Sequence, residues 1–100
     1  MIYNNVFGLR GVPLERCASE IGELLGIDME ERESDYLGRY FLGEGSDFKV
    51  QVVRQPDPDG EPLEPEHSNY DVIIYVDGGS RFDSVEGRGV DGSSITRLSA

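Results

Sequence analysis

Tryptophan is absent, cysteine and histidine occur once each, and only 9 residues are Lys or Arg against 20 that are Asp or Glu. Each shortage excludes a class of protein. A lone cysteine staples nothing, so disulfide scaffolds drop out. With no charged–apolar–small leader, the expected home is a reducing cytoplasm. No apolar run approaches the ~18 residues that a transmembrane helix requires. His67 has no neighbouring cysteine and no second histidine to complete a zinc site. A Ser–His–Asp triad built on it would lack a nucleophile-elbow sequence. The scarcity of cations leaves a formal net charge of −11. That argues against nucleic acid or anionic lipid as a partner and favours a basic one.

What is present suits one packed domain spanning 1–100. With 37% hydrophobic residues and 13 glycines, the apolar content is ordinary for a globular chain. Residues 2–7 are short, β-branched and aromatic, end at Gly8, and read as an opening strand. The clearest signal follows. Leu14, Cys17, Ala18, Ile21, Leu24 and Leu25 form the stripe of an amphipathic helix over 13–25. Pro13 suits its first turn, and Glu15 follows near the positive end of the dipole. Gly26 suits a left-handed stop, with Ile27 folding back as its apolar partner.

Three strands are expected next, over 36–42, 48–54 and 70–76, the first two joined by a hairpin connection at 43–47. The third is apolar on both faces apart from Asp71, as an interior strand would be. Residues 55–69 hold four of the five prolines and read as a long acidic loop. Residues 80–86 suit a short helix capped by Ser80. Residues 87–94 are glycine-rich and irregular, 95–98 fit either a last strand or a frayed tail, and 87–100 as a whole is open to flexibility. The sum is an α+β fold: an antiparallel-rich sheet of 4–5 strands, order β-α-β-β-β-(α)-(β), with one main helix packed on one face.

The charge is unevenly placed. Nine of the eleven net negative charges lie in segments 28–35 and 56–67, which the strand assignment makes connectors at the same end of the sheet. That would gather Asp28, Glu30, Glu31, Glu33 and Asp35 with Asp57, Asp59, Glu61, Glu64 and Glu66 on one rim. Self-repulsion there costs stability and has no structural benefit. The rim is either a docking surface for a basic protein or a solubilising bias. Tyr36 and Tyr40 are its candidate aromatic anchors, if they rather than Leu37 and Phe41 face outward.

No other motif survives its own requirements. Gly87, Gly89 and Gly92 fit G-x-G-x-x-G, but no strand precedes them, no βα unit follows, and Asp91 would repel a pyrophosphate. The run 57–61 alternates oxygen ligands like a calcium loop, yet counting from Asp57 places Pro62 at position six and Ser68 at twelve, where Gly and Glu are needed. Cys17 sits in the helix stripe as a structural thiol. Paired carboxylates for glycoside chemistry carry no information in so acidic a chain. The expectation is therefore no catalytic residue, no cofactor, no metal and no enzyme.

Taken with the first strand and the helix at 13–25, the run Ser34-Asp35-Tyr36-Leu37-Gly38, the acidic proline loop and the stretch Tyr70-Asp71-Val72-Ile73-Ile74-Tyr75-Val76-Asp77-Gly78 give a pattern over residues 3–78. It resembles small acidic bacterial proteins of the toxin-immunity kind. The resemblance implies a single-domain protein that neutralises a cognate toxin. The net charge makes a basic partner such as a nuclease the expected target, and a cytoplasmic monomer or homodimer is the expected state. Immunity families differ in fold, so the resemblance assigns no binding residue by position. The alternative is a structural or adaptor subunit that assembles through a sheet edge, its acid serving only solubility.

Overall fold

A computed structural model describes residues 5–78 and 86–99. In chain order these form β1 (Asn5–Leu9), α1 (Leu14–Leu25), β2 (Glu30–Ser34), β3 (Gly38–Glu44) and β4 (Lys49–Arg54). A 3-10 turn at Pro65–His67, β5 (Val72–Asp77), β6 (Gly89–Val90), β7 (Ser93–Ser94) and β8 (Thr96–Ser99) complete them. Six strands make one antiparallel sheet in the order β2-β3-β4-β5-β1-β8, and β6 pairs with β7 in a separate small hairpin. This is the expected α+β architecture, with one strand more than the upper figure.

Helix α1 forms for the reasons its periodicity implies. Leu14, Cys17, Ala18, Ile21, Gly22 and Leu25 are buried on one face. Pro13 stands one place earlier than expected, at the N-cap with ψ 146°. An extended residue there suits a ring that cannot donate an N–H. Gly26 ends the helix at φ +68°, and the amides of Gly26 and Ile27 both donate to the Gly22 carbonyl, the left-handed stop foreseen in the sequence. The buried face of α1 meets Phe7, Leu9, Val50, Val52, Val72, Ile74 and Val76 from the sheet. Each such side chain contributes roughly 1.5–3 kcal/mol on leaving water, which makes this layer the main source of stability.

The opposite sheet face carries a second cluster. Val6, Val53 and Ile73 are buried there beneath Leu37, Tyr40, Leu63, Tyr70, Tyr75 and Leu98. Strand β5 is thus apolar on both sides because both sides are covered. Leu63 and Tyr70 belong to the long loop, so the proline-rich segment folds back over the sheet. Gly8 lets it approach closely, since a Cβ there would stand 2.9 Å from the Tyr70 ring and from Leu98 Cδ1. Gln55, only 5% exposed, organises this loop. Its Nε2 donates to the carbonyls of His67 and Tyr70, both at 2.7 Å, and its Oε1 accepts from the Glu64 amide at 3.0 Å.

Segment 28–35 corrects the sequence expectation most. Glu30–Ser34 is an edge strand, not a connector. Its exposure pattern is polar throughout because charged residues suit an unpaired sheet edge, and that composition hides the strand from a hydrophobic-periodicity reading. The extra strand reverses the sense of everything after it. Glu30 pairs with Leu42 and Ser34 with Gly38, while Arg54, where the long loop departs, pairs with Val72. Asp28 and Glu30 therefore lie at the far end of the sheet from the proline loop. Only Glu33 and Asp35 reach the loop's end, so the ten acids do not form a single rim.

Other boundaries move less. Strand β3 starts at Gly38 because Asp35–Leu37 form a turn, in which Ser34 Oγ accepts the Leu37 amide at 2.9 Å and Gly38 takes φ +71°. Within the glycine-rich stretch, β6 and β7 meet at Asp91 and Gly92, both at positive φ, and Val90 and Ile95 are buried in the core. Of the two alternatives for 95–98, the strand holds, since Thr96–Ser99 pairs with β1. Residues 80–85 of the expected helix over 80–86 lie outside the described residues, and Glu86 lies in a turn. Residues 2–4 of the opening strand also lie outside them.

Candidate functional site

The predicted partner-binding residues separate into three groups. The first is the loop end. Asp59, Glu61 and Glu66 are exposed on the long loop, and Glu33 and Asp35 on the β2–β3 hairpin. These parts are neighbours, for a Cβ on Gly38 would stand 3.1 Å from Pro58. Among the described residues, none of these five acids is in an ion pair. Tyr36 projects from the hairpin turn at 69% exposure, a large apolar side chain held beside Asp35.

The second group serves the fold. Asp57 Oδ1 accepts the amides of Asp59 and Glu61 at 3.0 and 2.9 Å, which closes the loop on itself as Asx turns do. Glu64 Oε2 accepts the Tyr75 hydroxyl at 2.7 Å. Tyr40 is half-buried in the cluster beneath the loop, and Phe41 packs on the helix side. The choice left open between Tyr36/Tyr40 and Leu37/Phe41 thus resolves into neither pair, because the turn places Tyr36 outside the sheet.

The third group is Glu30 and Glu31 along strand β2, which also carries Glu33 of the first group, with Asp28 just before the strand. Glu31 and Glu33 stand opposite Phe41 and Arg39, on the helix side of the sheet, while Glu30 and Arg32 stand on the other side and pair with each other at 3.2 Å. Arg39 pairs with Glu15 of α1 and with Glu31 at 3.5 Å, tying helix to edge strand.

Between α1 and the β2–β3 hairpin runs an open groove of about 560 Å³. Its floor is formed by Ala18, Gly22, Ile27, Met29 and Phe41, and Glu15, Glu23 and Asp28 stand around it. Two glycines shape it: a Cβ on Gly43 would collide with Met29 and Ile27, and one on Gly22 would stand 3.1 Å from Met29 Cγ. Sequence reasoning missed this groove. Glu15, Ser19 and Glu23 at i, i+4 and i+8 mark one helix flank, but where that flank lies over the sheet is a tertiary fact.

Elsewhere, Arg16 pairs with Glu20 and Asp91 on the other flank of α1, and the hydrogen bond and charge of Asp91 raise its pKa. Burial pushes the Cys17 thiol up to about 12, far from a reactive thiolate. Among the described residues, no group of three or more His, Cys, Asp or Glu is placed to hold a metal ion. Nor is any helix among them long and apolar enough to cross a membrane. Comparison of the chain with protein-family models, curated proteins and solved structures found no match.

Proposed function

We propose that this is a non-enzymatic binding protein of the immunity or inhibitor kind, which neutralises a basic protein such as a nuclease toxin. The observation that carries the reading is the loop end: five exposed acids with no ion-pair partner among the described residues, carried by the neighbouring β2–β3 hairpin and long loop, with the exposed ring of Tyr36 next to Asp35. A surface that binds nucleic acid is cationic, so an acidic protein competes for it and is steered to it quickly. An aromatic side chain beside the acids supplies the apolar anchor that charge alone lacks. At the β2 edge the adaptor alternative draws less support, because Glu30, Glu31 and Glu33 repel a second copy of the same strand.

The test is co-expression with the products of neighbouring genes and co-purification at low and high salt. A basic partner released by salt supports the reading. Neutralising Glu33, Asp35, Asp59, Glu61 and Glu66 together should then slow association with that partner and flatten its salt dependence. Unchanged association would overturn it.

A further inference from the structure

We propose that the groove between α1 and the β2–β3 hairpin receives a basic amphipathic segment of the partner, its apolar side chains on Met29 and Phe41 and its Arg or Lys residues at Glu23 and Asp28. The inference rests on the binding reading above and names the part of the partner that is held.

Three features point to that occupant. The floor is apolar but incompletely covered, since Ile27, Met29 and Phe41 are only half-buried although each packs on the main core. The rim carries one sign of charge: the groove is lined by Glu15, Glu23 and Asp28 and by no Lys or Arg. Arg39 reaches Glu15 at one end and is already engaged by Glu15 and Glu31, which leaves Glu23 and Asp28 at the other. A purely polar basic segment would leave the floor wet. A purely apolar one would strip water from carboxylates and offer nothing in return. A segment with apolar side chains on one face and cations beside them satisfies both. From Glu15 to Glu23 the helix rises about 12 Å, room for roughly two turns of a bound helix.

The probes are two fluorescein-labelled 14-residue peptides of equal charge, one with Leu and Arg at helical spacing and one with every Leu replaced by Gln. Fluorescence anisotropy measures each against the wild-type protein and three variants. Ser19→Trp, at an exposed helix position lining the groove, fills it without changing charge, and Glu23→Lys reverses one of the three rim charges. Asp59→Asn with Glu61→Gln alters only the loop end. The leucine peptide should bind about tenfold more tightly than its glutamine counterpart, a difference of ~1.4 kcal/mol. Ser19→Trp should remove that margin while leaving the glutamine peptide unaffected, and Glu23→Lys should weaken the leucine peptide by a similar factor. The loop-end variant should keep the margin. A margin absent from the wild type, or surviving both groove variants, overturns the groove while binding of the glutamine peptide still upholds the acidic reading. Failure of both peptides to bind at low salt overturns both.

Discussion

The hydroxyl of Tyr75 on β5 donates a 2.7 Å hydrogen bond to Oε2 of Glu64, so one loop acid fastens the proline-rich segment to the sheet. A hydrogen bond to a charged acceptor contributes about 1.5–3 kcal/mol. Tyr75→Phe should therefore lower the unfolding free energy by ~1–2 kcal/mol in urea titrations. Glu64→Gln keeps an acceptor and should cost less. Equal stability of Tyr75→Phe and wild type would show that the bond is not held in solution.

Asp57 and Asp59 are adjacent acids on one loop with opposite roles. The Asp57 carboxylate closes the loop through two backbone amides, whereas the Asp59 side chain is exposed. Asp57→Ala should cost ~1 kcal/mol or more, as the loss of a side-chain cap does, and Asp59→Ala should stay within about 0.5 kcal/mol of wild type. Thermal unfolding of the two variants checks this. It also decides which acids can be neutralised in a binding experiment without disturbing the loop.

Gln55 is the most consequential polar residue that the sequence did not reveal. One buried amide satisfies two carbonyls and one N–H of the returning loop. Gln55→Leu would leave the Tyr70 carbonyl and the Glu64 amide without this partner, at about 1–3 kcal/mol for each that stays dry, while the His67 carbonyl keeps the Tyr70 amide at 3.2 Å. The expected result is a loss of at least ~2 kcal/mol and faster proteolysis within 55–71. Loss of global stability with the loop still protected would show that other contacts hold it.

What was legible follows from what leaves a periodic trace. The α1 stripe, the Gly26 stop and the double-sided β5 were plain because burial selects apolar residues at fixed spacing. Strand β2 left no such trace, since an edge strand exposed on both faces is written in charges. That one omission reversed chain direction through β3 and β4 and moved Asp28 and Glu30 to the far end of the sheet. The local composition of the acidic segments was right, and their juxtaposition was wrong. Tyr36 is exposed through a turn set by Ser34 and Gly38, which no alternation rule anticipates. The groove arose from two segments separately unremarkable in sequence, one helix flank and the chain at 27–29.

Cys17 makes stability depend on alkaline pH. Burial raises the thiol pKa to about 12, whereas in the unfolded chain it ionises near ~8.5. The folded state thus keeps a proton that the unfolded state releases. The stabilisation from the neutral buried thiol is whole below about pH 8.5 and is lost as pH rises toward 12. Between these limits this one group should reduce the unfolding free energy by up to ~1.4 kcal/mol per pH unit. The comparison is with Cys17→Ala, which removes this one group and keeps every other. That variant should start ~1 kcal/mol less stable at pH 7, for the small cavity left beside Leu14 and Ile21. Its loss of stability between pH 8.5 and 10.5 should then be shallower than that of the wild type, and the two curves should cross within that range. Parallel curves in urea titrations across that range would place the thiol in contact with water.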